Sequence, residues 1–433
     1  MQDLLLKVKF RLNVDSIMML LVLLFPVLSL SVRHWVSGIY SVLCVIAVFL
    51  LTREKNLDKR DKILIIFIFA YLIIFVVSGT INGWTPTSVH AIGAQLKFLL
   101  FIPFYIYLRN NYIPLEWFYY AIAVSGIVLG VQSLIDIYYL NRLQGWGIYG
   151  PIIFGDFSVL IASFLLVLLK YNKKILSKQE AFYATGMLMA VIATIISGSR
   201  NAWLALIVVF TLVFVFDFLR SRDPYKFVKF IALISTAILA SILFTPDKIL
   251  ERKDRAFNEY RSYFQGEKVT KQNSVGFRLE QWKAAIYAFA KKPVIGHGPG
   301  NTGIAVNEVV EEGKADRVIY KDNARVNIVH VHNGYFEMLV SQGLIGLTVL
   351  LSFFVYLYWF FLTNWQVDGV LSSLGLVHIT GFLIFFLTEI PFIHDNFISI
   401  YLLFLGVFYS ELQKRSDERA PTPDVGSKVD GEV

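Results

Sequence analysis

Long apolar stretches separated by short polar ones dominate the chain, and this alternation is typical of a protein that crosses the membrane many times. An apolar stretch of about 20 residues is long enough to cross the hydrocarbon core as an α-helix. We predict twelve such helices, over residues 13–32, 35–51, 62–81, 88–108, 114–137, 151–171, 181–197, 200–219, 226–244, 335–361, 370–390 and 393–412. The pattern therefore predicts an all-α polytopic membrane protein with twelve transmembrane helices.

One polar segment, between the ninth and tenth predicted spans, is much longer than the others. It runs from Pro246 to Val331, and a segment of this length is uncommon in a compact protein unless it is functional. Part of it, Phe277–Ala290, repeats apolar residues at helical spacing, which predicts a helical cap lying on the bilayer. The predicted division is 1–245 for transmembrane helices 1–9, 246–331 for the cap, 332–412 for transmembrane helices 10–12 and 413–433 for a disordered cytoplasmic tail.

Charge sets the orientation of these helices. The chain is 56% apolar and 17% charged, and its net charge of +8 arises largely from the cap and from the loops after the second, sixth and eighth spans. Because Lys and Arg concentrate in cytoplasmic loops, those loops and both chain ends are predicted to be cytoplasmic, with the cap on the opposite face. No array of basic and aromatic residues indicates a nucleic-acid partner. Cys44 is the only cysteine, which excludes an internal disulfide and a cysteine metal cage.

A single arginine stands out at the predicted outer end of the eighth span. Arg200 lies in the turn Ser197–Trp203, although cations are disfavoured in short outer loops. The positive N-terminal end of the helix that starts here also disfavours a cation, by about 0.3–1 kcal/mol. A cation placed against both tendencies suggests a bound anion, for which a diphosphate at a membrane surface is the obvious kind.

The segment Val329–Tyr335, directly before the tenth span, holds the densest group of polar residues. If Asn333 caps that helix, His332 lies at the positive end of a helix dipole. This position favours neutral imidazole, the form that acts as a general base. Two other interpretations stay open, because His332 could form a hydrogen bond at the membrane interface, and His330 and His332 together could bind a metal.

Three further cations are candidates for anion binding. Arg278 begins the amphipathic cap helix and suits phosphate oxygens, but it could equally be a solvated surface residue. Lys97 lies deep in the fourth span, where a charge usually faces a cavity or a partner, unless its side chain extends to the interface. Arg142, in a short outer loop, could also bind lipid headgroups. Glu389 and Asp395 flank the last outer turn and could pair with the arginines or orient the base.

Three motifs, in this order, resemble the O-antigen ligase and polymerase superfamily. They are Ser197–Trp203 at the start of a span, Phe277–Trp282 leading to Pro293–Gly298, and His332–Gly346. Their order, the twelve predicted spans and the single large outer loop extend the resemblance over most of the chain. Within the superfamily the chain most resembles the O-antigen ligase of lipopolysaccharide assembly, since the polymerases typically divide their function between two sizeable outer loops.

The resemblance implies transfer of a glycan from undecaprenyl diphosphate to a sugar hydroxyl of lipid A–core. The reaction would take place at the periplasmic face of a Gram-negative inner membrane, among membrane lipids and without metal, cofactor or ATP. For that reaction we expect His332 to be the general base, Arg200 and Arg278 to stabilise the departing diphosphate, and the anomeric carbon to invert. Lys97 and Arg142 are expected to help hold the diphosphate or a core phosphate.

Other functions stay open on the sequence alone. They are a polymerase that extends lipid-linked glycan, a ligase that transfers glycan to protein, and a transporter of lipid-linked glycan. In a transporter, Arg200, Lys97 and Glu389 would line a substrate path. The chain has no Walker A motif for an ATP-driven pump and no matching pair of interrupted spans of the kind common in transporters, so an enzyme is favoured.

Overall fold

The computed structural model describes residues 14–51, 57–171, 177–221, 252–266, 269–270, 273–316 and 327–419, with single positions at 228, 232 and 235. The regular elements in these ranges are helical, which confirms the predicted all-α class. The α-helices are α1 (Val14–Leu28), α2 (Trp35–Phe49), α3 (Lys59–Asn82), α4 (Pro86–Asn110), α5 (Leu115–Leu134), α6 (Pro151–Tyr171), α7 (Lys178–Ile196), α8 (Arg200–Ser221), α9 (Arg252–Phe264), α10 (Ser274–Lys291), α11 (Thr302–Glu311), α12 (Gly334–Thr363), α13 (Gly369–Phe385) and α14 (Asp395–Arg419). A π-helical turn, Ile135–Tyr139, extends α5, and a 3-10 turn, Pro391–Ile393, precedes α14.

Most predicted spans correspond to one apolar helix each. Among the described helices, α3, α4, α5 with its π-helical turn, α6, α7, α12 and α14 are the seven long and apolar enough to cross a membrane. Shorter apolar helices, α1, α2, α8 and α13, occupy four further predicted spans. By helix composition the chain is thus a multi-pass membrane protein. The ninth predicted span, 226–244, lies outside the described residues except for helical positions 228, 232 and 235, so the number twelve stays a prediction.

The last helix is longer than the apolar pattern predicts. α14 continues to Arg419, so residues 413–419, which we assigned to a disordered tail, are helical. Ion pairs hold this polar end, because Lys414 contacts Glu411 and Arg415 contacts Asp368 at the start of α13. The remaining tail residues, 420–433, lie outside the described part of the chain.

Two helices occupy the centre of the membrane region. α6 and α14 are buried along almost their whole apolar length, whereas α3 leaves most of its apolar surface exposed. Around this centre, α5 and α7 approach closely through glycines, since a Cβ on Gly126 would lie 2.3 Å from the Gly186 carbonyl oxygen. Small residues at such contacts let helix backbones approach in a membrane. The polar residues of interest lie at one end of this bundle, where the cap covers it.

α12 is broken near its N-terminal end, and a segment of the cap fills the break. Gly343 has φ +67 and ψ −166, a backbone conformation that side chains rarely adopt. The cap segment Pro293–Gly298 lies against this position: the N–H of His297 donates to the Val340 carbonyl at 2.8 Å, and the N–H of Leu344 donates to the first carbonyl of the segment at 2.8 Å. The cap and the start of α12 are therefore joined through their backbones.

Candidate active site

His332 is held at the N-terminus of α12. Asn333 caps this helix, because its side-chain oxygen accepts hydrogen bonds from the N–H groups of Tyr335 and Phe336, each at 3.0 Å; this is the cap that the sequence suggested. The Asn333 amide donates to the Leu387 carbonyl at 2.8 Å, which ties the cap to the end of α13. His332 has φ +46, a strained conformation that persists only where the surroundings enforce it. The imidazole is therefore fixed by the helix cap and by its own backbone.

Glu389 faces the ring of His332. Nδ1 of His332 lies 3.4 Å from Oε2 of Glu389, and the carboxylate is buried. Burial alone would raise the pKa of Glu389, but the hydrogen bond with His332 and the charges of His332, His394 and Arg278 outweigh it, so that the pKa lies below its usual value. Glu389 is therefore ionised at neutral pH and can orient the imidazole.

His330 stands beside His332 in a different environment. The two ring centroids are 4.2 Å apart and the ring planes are nearly perpendicular, at 87°. Burial, together with the neighbouring His332, lowers the pKa of His330 to about 4, so this ring is neutral. In the part of the chain that the structure describes, no group of three or more His, Cys, Asp or Glu side chains is placed to hold a metal ion. Metal independence stays a prediction.

The cap reaches the N-terminus of α8 at Arg200. Nη2 of Arg200 donates to Ser274 Oγ at 2.6 Å and lies 3.9 Å from Oε2 of Glu259. Ser274 is the first residue of α10, and its hydroxyl donates to Glu259 at 3.0 Å. The predicted mechanism requires the cap to fold back over this end of α8, and the structure shows that contact.

Arg278, one turn into α10, is within electrostatic range of both Arg200 and Glu389. Burial lowers the pKa of Arg278, the charge of Glu389 raises it and the charge of Arg200 lowers it, yet an arginine side chain stays protonated in proteins. Arg278 is thus near enough to Arg200 and to Glu389 for their charges to act on it. Three residues predicted from three separate motifs are brought into one region.

α10 also fixes the backbone that precedes His332. The Gln281 side-chain amide donates to the His330 carbonyl at 2.8 Å, and the Trp282 indole N–H donates to the Val331 carbonyl at 3.1 Å. The same helix therefore carries Arg278 and holds the segment that ends at His332. This pairing gives a structural reason for the Phe277–Trp282 motif.

Lys97 and Arg142, the other two predicted substrate ligands, have acidic partners of their own. Nζ of Lys97 lies 2.6 Å from Oδ1 of Asp395. Arg142 donates to Asp136 at 2.8 Å, and Asp136 in turn accepts from the backbone N–H of Trp146 at 2.8 Å, so this pair braces the loop between α5 and α6. In the described part of the chain neither cation contacts the His332 group, which consists of His332, Glu389, Arg200 and Arg278. The roles of Lys97 and Arg142 in substrate binding stay predictions.

Asp156 and Asn201 are two polar neighbours of the group that the sequence analysis missed. Asp156 is fully buried in α6, and its Oδ2 accepts from the Asn201 amide at 3.4 Å. It is the sole acid within α6, and a charge inside a span is a functional signal that could have identified it. Asn201 directly follows Arg200, so the motif carried this residue without naming it.

A largely apolar cavity of about 420 Å³ lies next to His330, the neighbour of His332. Its lining includes His330, Glu337 and the aromatic rings of Tyr71, Phe75 and Phe392. Cavities of this size and composition are typical of ligand sites. An apolar group could therefore bind next to the polar residues.

Comparison with known proteins agrees with the motifs. Residues 185–351 match the family model Wzy_C, described as O-antigen ligase, and this region contains Arg200, Arg278 and His332. An Escherichia coli K12 protein named O-antigen ligase is 23% identical over 354 residues, which cover 79% of this chain and 81% of the relative. A Haemophilus influenzae protein described as uncharacterised is 25% identical over 355 residues, which cover 80% and 85%. The predicted resemblance is confirmed: over residues 185–351 this chain is similar to the O-antigen ligase family.

Proposed function

We propose that this protein transfers a glycan from undecaprenyl diphosphate to a sugar hydroxyl of lipid A–core, at the periplasmic face of the inner membrane. The match to the O-antigen ligase family supports glycosyl transfer with lipid-linked glycan substrates. The observation that carries the finer assignment is an imidazole–carboxylate pair, His332 and Glu389, within electrostatic range of the Arg278 guanidinium. The pair suits removal of a proton, and the guanidinium suits a phosphate.

His332 acts as the base in this proposal. With its Nδ1–H donated to Glu389, the ring keeps a free lone pair on Nε2, which accepts the proton of the acceptor hydroxyl. A carboxylate in this position holds the ring in one orientation and stabilises the imidazolium that forms. The hydroxyl oxygen bonds to the anomeric carbon as the bond from that carbon to the diphosphate breaks. Direct displacement of this kind inverts the anomeric configuration.

Arg200 and Arg278 stabilise the leaving group. When the anomeric bond breaks, its electron pair stays on the diphosphate oxygen, where negative charge increases. Guanidinium groups contact phosphate oxygens through paired N–H donors, and donors placed in advance stabilise developing charge most effectively. A diphosphate is already a competent leaving group, so the transfer needs neither a nucleotide nor a metal.

The apolar cavity supports a lipid-linked donor. Its aromatic lining, with Tyr71, Phe75 and Phe392, adjoins His330 in the same segment as the base. A polyprenyl chain that leaves the bilayer could bury its first units there while its diphosphate reaches the arginines. The apolar lining favours hydrocarbon over a water-soluble donor.

The test uses purified protein in detergent with undecaprenyl diphosphate-linked glycan, rough lipopolysaccharide and EDTA. We expect a product whose mass is lipid A–core plus glycan. His332→Ala should reduce the rate by about 10²–10⁴-fold, and Arg278→Ala by about 10²–10³-fold, with both variants still inserted in the membrane. Lys314→Met is the control, since Lys314 belongs to an exposed ion pair with Glu312 at 2.9 Å on the cap.

Three results would contradict the proposal in different ways. Longer lipid-linked chains without modified lipopolysaccharide would identify a polymerase. A wild-type rate from His332→Ala would exclude the base. The absence of product with either acceptor would exclude this glycosyl transfer.

A further inference from the structure

A second cavity, polar in character, adjoins the apolar one. It has a volume of about 540 Å³, which is within the range of ligand sites. Both cavities are lined by His90 and Ala94 of α4 and by Ile393 before α14. The two spaces therefore meet along one side of α4.

The polar cavity presents hydrogen-bonding groups suited to a sugar. Lys97 and Asp395 form an ion pair at 2.6 Å, with the Lys97 side chain 12% exposed and the Asp395 side chain 55% exposed, and Asn396 lies beside them in the lining. An ammonium donates up to three hydrogen bonds, a carboxylate accepts several, and an amide does both. A paired donor and acceptor of this kind can bind two adjacent hydroxyl groups of one sugar ring.

His394 connects this cavity to the proposed catalytic pair. It lines the cavity, and the charges of Glu389, His332 and Asp395 all act on it. The walls of the cavity thus come from α4 and from the start of α14, next to His394, whereas Arg200 and Arg278 belong to α8 and α10. A transferase of this kind needs two substrates at one base, and the apolar and polar cavities offer a separate space for each.

The cavity is bordered by surface suited to lipid. Val89, part of the lining, is 61% exposed, and Leu96 on the same helix is 48% exposed. Gly93 lies between them, and a Cβ added to it would meet nothing within 4 Å. Exposed apolar side chains on a transmembrane helix face hydrocarbon, so a ligand anchored in the bilayer can enter sideways past Gly93.

We propose that this polar cavity binds the sugar headgroup of the lipid-anchored acceptor, which enters laterally from the outer leaflet. The Lys97–Asp395 pair binds adjacent hydroxyls and presents a neighbouring hydroxyl to His332. This inference rests on the proposed function, and it assigns Lys97 to the acceptor and not to the donor diphosphate.

Gly93→Leu is the first test, because it fills the entrance where the backbone has open space around it. Lys97→Met is the second, because it removes the donor of the pair. We expect each variant to raise the KM for rough lipopolysaccharide at least tenfold and to leave the KM for the lipid-linked donor unchanged. Gly38→Leu is the matched control for the first, since Gly38 of α2 also has nothing within 4 Å of an added Cβ. Equal effects on both KM values, or no effect, would overturn the inference.

A binding measurement separates this inference from the reaction itself. Native mass spectrometry of the protein in detergent counts bound molecules of rough lipopolysaccharide, with phosphatidylglycerol as the comparison lipid. We expect lipopolysaccharide to bind the wild type and His332→Ala, and to be lost from Gly93→Leu and Lys97→Met. Unchanged binding in the cavity variants, no binding to the wild type, or equal binding of phosphatidylglycerol would overturn the inference. Because no turnover is needed, a failed reaction assay leaves this result interpretable.

Discussion

Among single residues, Glu389 keeps its negative charge beside His332 as the pH falls below neutral. Its pKa lies below the usual glutamate value because the contact with His332 and the charges of His394 and Arg278 outweigh burial. The contact therefore stabilises the folded protein above the usual glutamate pKa, and it is lost only as the pH falls through the lowered value. At the pH where an imidazole protonates, Glu389 is still an anion.

Glu389→Gln keeps the shape of this side chain and removes its charge. We expect the rate to fall by about 10²-fold, within the range of general-base catalysis. The acid limb of the pH–rate profile should move to lower pH, because no anion then stabilises the protonated ring of His332. The measurement is kcat/KM for the lipid-linked donor as a function of pH, with the acceptor at a saturating concentration. An acid limb that stays in place would show that Glu389 has only a structural role.

Arg200 and His332 are easier to predict from sequence than the residues that they contact. Arg200 and His332 each lie at a helix start, where position alone makes them unusual, but their partners depend on tertiary contacts. Glu389 is 57 residues from His332 in sequence, and no periodic pattern links them. Arg142 shows the opposite case: its partner Asp136 is only six residues away, but the π-helical turn that presents it leaves no signal in the hydrophobic pattern.

At the scale of elements, the break in α12 gives a prediction about stability. Gly343→Ala would place a Cβ 2.3 Å from the Val294 carbonyl oxygen, at a residue with φ +67. Backbone strain of this kind costs about 1–3 kcal/mol, so we expect a lower Tm in detergent. We also expect slower transfer, because the same helix begins next to His332, the proposed base. Gly38→Ala has open space around its Cβ and should change neither. An unchanged Tm for Gly343→Ala would contradict the proposed link between cap and helix.

Hydrophobic length predicts the helices well but not this break. Most predicted spans differ from the observed helices by a few residues at each end, since burial in lipid depends on composition. The tenth span was predicted as one helix over 335–361, whereas α12 is interrupted at Gly343, because the segment that fills the break lies about fifty positions earlier in the chain. Broken helices also occur in transporters. Here the cap segment Pro293–Gly298 supplies the hydrogen bonds at the break, which favours a structural role for it.

At the scale of the whole molecule, the His332 group lies where the cap meets the membrane helices. Arg200 marks the start of α8 and contacts the cap at Ser274, while His332 marks the start of α12. The apolar and polar cavities meet beside this group along α4. In the proposed reaction, two lipid-anchored substrates would reach His332 from these two cavities while both remain in the same leaflet.

Sidedness is the remaining prediction, since it rests on charge. Several of the basic residues that set it, Arg53, Lys55, Lys173, Lys174, Arg222 and Lys226, lie outside the described residues. The single native cysteine, Cys44, is buried, so it leaves a low background for labelling introduced cysteines. Lys283→Cys tests the cap, where the side chain is 43% exposed, and Lys178→Cys tests the exposed start of α7.

A maleimide that cannot cross membranes should label Lys283→Cys in intact spheroplasts, and should label Lys178→Cys only after the membrane is made permeable. The reason is that α7 starts after a basic loop, which the positive-inside tendency places in the cytoplasm, and its other end leads to Arg200. Labelling in the reverse order would place the His332 group at the cytoplasmic face. A periplasmic transfer reaction would then be impossible, whatever the geometry of the site.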